Sequence, residues 1–155
     1  MSMKNRLEQQ NSFLFHFQTF NEIKDSLYGT FGVSAYTILY YSGIGAGHRA
    51  YERRAAKAKT NEETLNLLAG DKINDNWGEI TFQDIDFAKL SGRILVKNCF
   101  EARAAKSKQQ ICYFIKGYLT GFLSGLMQKP VLLDEVKCLA KGDDHCEFTI
   151  APDRS

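Results

Sequence analysis

The chain is short of the residues that punctuate, ligate and catalyse. It has two prolines, one tryptophan and three histidines in 155 residues. The histidines (His16, His48 and His145) are scattered, so no Ser-His-acid or Cys-His arrangement can be assembled from them. An apolar run of the ~18 residues a membrane helix needs is missing. The nearest approach, "YFIKGYLTGFLSGLM", is interrupted by Lys116 and by glycines. Charge of one sign is scarce too: a net +2 gives no ground for nucleic acid or an anionic membrane as partner. The opening "MSMKNRLEQQ" lacks the apolar core of a secretory signal. The expectation is a cytoplasmic protein without membrane insertion, where lasting disulfides are rare.

What remains is globular in composition, 44% hydrophobic and 25% charged, and long enough to bury a core without staples. Residues 1–12 read as a flexible polar end and 13–155 as a single domain. The first half is helical. Phe20, Ile23, Leu27 and Phe31 recur at spacings of three and four, with Gly29 or Gly32 as the stop. "VSAYTILYYSGIGAGHRAYERRAAKAK" reads as one long helix, and Thr60 with Glu63 forms a capping box that opens the next. Beyond Gly78, "GEITFQDIDFAK" alternates and "GRILVKNCFEA" is β-branched, which predicts two strands. "SKQQICYFIKGYLTGFLSGLMQ" then predicts a core helix stopped before Pro130, and "VLLDEVKCLAKGDDHCEFTIA" a closing hairpin. The fold class is α+β: N-terminal helices, then an antiparallel sheet with one long core helix inserted before the C-terminal hairpin.

Three stretches imitate motifs. "GIGAG" follows no strand and lacks the dinucleotide spacing, so it reads as a close helix-packing face. "DKINDNWGE" puts Ile73 where a calcium loop needs an oxygen ligand. "RAYERRAAKAK" reads as a solvated helix end whose charge suits the helix dipole.

The cysteines are Cys99, Cys112, Cys138 and Cys146. A hairpin centred near Gly142 puts Cys138 opposite Cys146, close enough for two thiolates to share one metal; two buried apolar cysteines fit equally. Cys112, early in the core helix, is a further candidate ligand. So is Glu135, although an offset of three from Cys138 puts it on the wrong face of a regular strand. Joining them requires a bulge between the two.

"ICYFIKGYLTGFLSGLMQKPVLLDEVKCLAKGDDHCEF" closely resembles the C-terminal motif of the 4-vinyl reductase domain family. The shared features are an aliphatic-Cys start, a G-Y-x-x-G-F helix, an E-x-x-C strand and a G-D-x-x-C-x-F hairpin. "ILYYSGIGAGHRAY" is similar to that family's glycine-bearing N-terminal helix. The resemblance spans roughly Gly29 to Ile150. It implies a fold similar to a vesicle-tethering subunit family, a homodimer and an apolar ligand cavity. It also implies a structural Zn2+ held by Cys112, Glu135, Cys138 and Cys146, with Lys137 and Lys141 near enough to moderate its charge. Cys99 matches no ligand and reads as a buried strand cysteine.

The family's phenol sensors use a histidine and a tryptophan toward the ligand hydroxyl. Here no histidine lies between His48 and His145, and Trp77 falls in a polar loop, which argues against phenol. Three functions remain open. One is a zinc-stapled, non-catalytic domain that binds or senses a small apolar or aromatic molecule and signals through a separate protein. Its cavity walls would be Tyr36, Tyr40, Phe114, Tyr118 and Phe122, beside Gly43, Gly47, Gly117 and Gly121. The second is an accessory role in tetrapyrrole vinyl reduction; no dinucleotide, flavin or iron–sulfur motif makes the chain a self-sufficient enzyme. The third is a structural assembly module without ligand.

Overall fold

The computed structural model describes Phe13 and residues 15–155; the stretch 1–12, expected to be flexible, lies outside the described residues. Helix α1 (Phe17–Phe31) stops at Gly32, the second of the two glycines offered. Its φ of 57° suits a residue without a Cβ, and its N–H closes onto the Tyr28 carbonyl. Helices α2 (Ser34–Ala55) and α3 (Asn61–Asn74) follow. Thr60 Oγ1 accepts the Glu63 N–H at 3.1 Å, as a capping residue should. The Glu63 carboxylate reaches back one residue further than expected, to the Lys59 N–H at 2.7 Å.

Strands β1 (Glu79–Asp86), β2 (Ser91–Lys97), β3 (Val131–Lys137) and β4 (Cys146–Pro152) form one antiparallel sheet in the order β1-β2-β4-β3. Helix α4 (Tyr113–Met127) is inserted between β2 and β3, which gives the α+β arrangement expected. It is apolar nearly all round, with 11 of its 15 residues buried, because it is covered on two sides. One side meets the sheet face of Ile94, Val96, Leu133 and Phe148; the other meets α2. The α2–α4 crossing is backbone against backbone. A Cβ on Gly43 or Gly47 would strike the Phe114 or Tyr118 carbonyl, and one on Gly117 or Gly121 the Tyr40 or Ile44 carbonyl. "GIGAG" is the close-packing face the sequence suggested. By the same contacts, the four glycines leave no cavity between the helices.

Two boundaries differ from expectation. Strand β2 ends at Lys97 because Asn98 turns left-handed (φ 54°), so Cys99 lies in a turn and not on a strand. The core helix starts at Tyr113, well after Ser107. What fixes that start is Glu101, fully buried beneath it. Glu101 Oε1 accepts the Phe114 N–H at 3.1 Å and Oε2 the Ile115 N–H at 2.8 Å, satisfying two otherwise orphaned donors. Lys24 of α1 supplies the counter-charge at 2.9 Å and also donates to the Ile111 carbonyl. The charged end of α2 is solvated apart from Arg54, which pairs with Asp71 at 2.6 Å.

Candidate metal centre and adjoining cavity

The β3–β4 ladder pairs Glu135 with Phe148 and then Lys137 with Glu147, so two steps on β3 oppose one on β4. Val136 is the extra residue of a β-bulge, and the strand's alternation breaks where the sequence required it to. Glu135 and Cys138 therefore both turn inward, while Val136 and Lys137 both face out. Beyond Cys138 the chain makes a 3₁₀ turn (Leu139–Lys141) that closes at Gly142, φ 103°. Two hydrogen bonds hold this corner. Cys138 N–H donates to Asp143 Oδ2 at 2.8 Å, and Leu139 N–H donates to Cys146 Sγ at 3.3 Å. Cys112 arrives from the other side as the residue capping α4.

One donor atom from each of Cys112, Glu135, Cys138 and Cys146 lies within 4.8 Å of all the others, and all four residues are buried. Cys112 Sγ is 3.9 Å from Cys138 Sγ and 3.6 Å from Cys146 Sγ. Sulfurs ~2.3 Å from a tetrahedral ion lie ~3.8 Å apart along each edge, so the spacing matches a metal-sized cradle. It is far from the ~2.05 Å of a disulfide, and all four cysteines are free thiols. Glu135 supplies a second indication. Its Oε2 accepts the Cys112 N–H at 3.3 Å, but its Oε1 is buried without any partner. A buried oxygen left so is costly unless something positive completes it. Burial, with the Cys138 sulfur adding to it, pushes the Glu135 carboxyl up to about 8. The surrounding Cys138, Cys146 and Cys99 sulfurs, together with burial, likewise push the Cys112 thiol up. These groups can all ionise only if a cation compensates them.

Two neighbours differ from expectation. Lys137 points its ammonium at Glu147, 3.6 Å away, and not into the cluster. Cys99 is fully buried with its Sγ 3.9 Å from Cys112 Sγ, in direct contact with the cluster. Its reading as a strand residue concealed this.

The five expected cavity residues are divided. Tyr36 and Tyr40 line an open groove of about 680 Å³ with Tyr41, Tyr113 and Leu132; Tyr36 stacks on Tyr113 with ring centroids 4.2 Å apart. Tyr118 and Phe122 are core residues, 4% and 0% exposed. Phe114 lines a separate cavity of about 460 Å³, together with Phe20, Trp77, Phe100, Asn76 and Arg103 among others. Trp77 is therefore no polar-loop residue. Its ring packs 4.9 Å from both Phe100 and Tyr118, centroid to centroid, and carries the buried Lys72 ammonium 3.8 Å from its centre. Sequence reasoning missed Trp77, Phe100 and Phe20 as one cluster. The only signal was three aromatics in stretches otherwise polar.

Residues 93–152 match the model of the 4-vinyl reductase domain. Protein MJ0745 of Methanocaldococcus jannaschii is 40% identical over 55 residues, 36% of this chain and 30% of that protein. The phenol regulator MopR of Acinetobacter guillouiae is 33% identical over 60 residues, 36% of this chain and 11% of MopR. The chain thus matches about a third or less of these relatives' length. Among solved structures, the phenol-responsive sensory domain of the transcription activator PoxR aligns with a TM-score of 0.80 at 23% identity, covering 90% of this chain and 76% of that one. A vinyl-4-reductase family protein of M. jannaschii aligns at 0.67 and 21% identity, over 93% and 85%. A trafficking protein particle complex subunit 3 from Naegleria fowleri aligns at 0.66 and 15%, over 89% and 93%. At these identities the structural likeness establishes the fold.

Proposed function

From a 4-vinyl reductase domain over residues 93–152, we propose that the chain binds or senses a small apolar, ring-bearing molecule without catalysing its conversion, and that Zn2+ staples the wall of its site. The observation that carries this reading is the aromatic cavity. Its volume of about 460 Å³ falls in the range of small-molecule pockets, ~300–1,000 Å³. Phe20, Trp77, Phe100 and Phe114 line it with rings, and Asn76 and Arg103 give it a polar rim. Support also comes from the likeness to the phenol regulator MopR. With Trp77 on the cavity wall, one of the two arguments against a ring-borne hydroxyl falls away.

Zn2+ is the ion suited to three thiolates and a carboxylate in a closed tetrahedron, which leaves no position for hydrolysis. Cys112 and Phe114 stand two residues apart at the start of α4, so the staple and the cavity share one helix end. The groove around Tyr41 (66% exposed) and Leu132 (46% exposed) suits a second copy of the chain. Any signal then passes from this dimer to a separate protein. No helix among the described residues is long and apolar enough to cross a membrane.

Trp77 is the sole tryptophan, so its emission reports the cavity directly. Purified full-length chain should contain one zinc per chain, and titration with toluene should change Trp77 emission saturably. Phe100→Ala should abolish that change while zinc stays bound. A folded, zinc-free protein would remove the staple; a flat titration with toluene and with phenol would remove the binding reading.

A further inference from the structure

The metal centre has one sulfur more than it needs. Cys112, Cys138, Cys146 and Glu135 provide four donors, yet Cys99 Sγ lies 3.9 Å from Cys112 Sγ, the same separation as Cys112 from Cys138. Cys99 is 0% exposed, so no solvent-facing role accounts for it. Its backbone is held in place: its carbonyl accepts the Ala102 N–H at 3.1 Å and the Arg103 N–H at 2.9 Å, and the next residue, Phe100, bonds to the Trp77 carbonyl. Only the side chain is free to turn, and one rotamer step moves a cysteine sulfur by about 3 Å.

The four donors are also unequal. Three are sulfurs, soft ligands for Zn2+ and its heavier relatives; the fourth is a harder carboxylate oxygen. Glu135 is further divided between the centre and the Cys112 N–H, which its Oε2 accepts. Of the donors present, it is the one most readily exchanged.

We propose that Cys99 is a reserve ligand of the centre, able to take the vertex of Glu135 and convert a three-thiolate, one-carboxylate site into a four-thiolate one. The exchange is balanced: the Cys99 thiol gives up its proton, the Glu135 oxygen leaves the metal and takes that proton, and no oxidant is involved. The four-thiolate form is the better receptor for thiophilic ions such as Cd2+. Because Cys99 adjoins Phe100 and Glu101, the exchange also couples ligand choice at the metal to the cavity wall and to the cap of α4. This inference rests on the metal reading above.

Co2+ loaded into the full chain tests it, since thiolate-to-cobalt charge-transfer absorption grows with the number of bound sulfurs. Glu135→Ala should retain Co2+ and gain about a third in that absorption, three sulfurs becoming four. The double variant Glu135→Ala/Cys99→Ser should lose the gain and hold Co2+ at least about tenfold more weakly in chelator competition. Glu135→Gln, which keeps the side-chain shape, provides the same comparison should the alanine variant fold poorly. Equal absorption and affinity in the single and double variants overturn the proposal while leaving the metal centre intact. Failure of the wild-type chain to bind Co2+ or Zn2+ overturns both.

Discussion

Glu101→Gln should cost far more stability than a one-atom change suggests. The carboxylate accepts Phe114 N–H through one oxygen and Ile115 N–H through the other, and it neutralises Lys24. A carboxamide keeps one acceptor and turns an NH2 toward the second N–H, so two donors face each other. One charge-assisted bond is lost, worth ~1.5–3 kcal/mol. The Lys24 ammonium also loses its counter-ion, although its side chain is 14% exposed and water relieves part of the penalty. Breaking buried pairs of this kind costs ~3–5 kcal/mol. That is a large share of the ~5–15 kcal/mol typical of a domain.

The assay is urea unfolding at fixed free zinc, because metal held by the folded state shifts the midpoint by mass action. With a slope of ~1–3 kcal/mol per molar urea, a loss of ~3 kcal/mol lowers the midpoint by ~1–3 M. Lys24→Met gives the complementary sign. Burial pushes the Glu101 carboxyl up, and Lys24 is the chief influence holding it down. Once Lys24 is gone, the folded state binds the proton that the unfolded chain, near ~4.3, releases; the penalty should therefore shrink as pH falls below neutrality. A midpoint shift under ~0.5 M for Glu101→Gln, or a Lys24→Met penalty that grows on acidification, would refute the reasoning.

Gly47→Ala should destabilise by ~3 kcal/mol or more, because its methyl strikes the Tyr118 backbone, whereas Gly45→Ala, whose methyl meets nothing, should gain ~0.5–1 kcal/mol. Thermal or urea melts of the pair check this, and shifts of the same sign would contradict it. Burial lowers the Lys72 pKa, so above the folded value the unfolded chain holds the extra proton and stability rises with pH toward the unfolded value of ~10.4. Wild type should accordingly gain on Lys72→Met as pH is raised toward ~10; a constant gap would show that Lys72 keeps its charge without penalty.

The features legible in the sequence were those set by near neighbours. Thr60 caps α3 through a residue three positions away, Gly32 ends α1 by its own backbone freedom, and the glycine spacing on α2 declares a close-packing face. The bulge at Val136 was legible for a different reason: the wrong-face parity of Glu135 and Cys138 can be resolved only by an extra residue. What escaped depends on distant partners. Glu101 caps a helix beginning twelve residues later and takes its counter-charge from Lys24 in another helix, so a local reading could only extend β2 through it. That single misreading moved the helix start to Ser107, put Cys99 on a strand and left Trp77 in a loop. The three errors have one physical source, the turn after Lys97.

That turn explains more than its length suggests. Asn98 reverses the chain, and the next residues are spent on three different contacts. Cys99 touches the metal cluster, Phe100 walls the cavity, and Glu101 anchors the helix that carries both Cys112 and Phe114. A ligand that displaces Phe100 therefore acts on a backbone pinned on one side by the Trp77 carbonyl and on the other by the Glu101 carboxylate. Such a segment cannot yield locally; it moves with the start of α4 or resists. The cavity and the metal centre are thus mechanically one unit, and a ligand that fits without shifting Phe100 should leave the metal untouched.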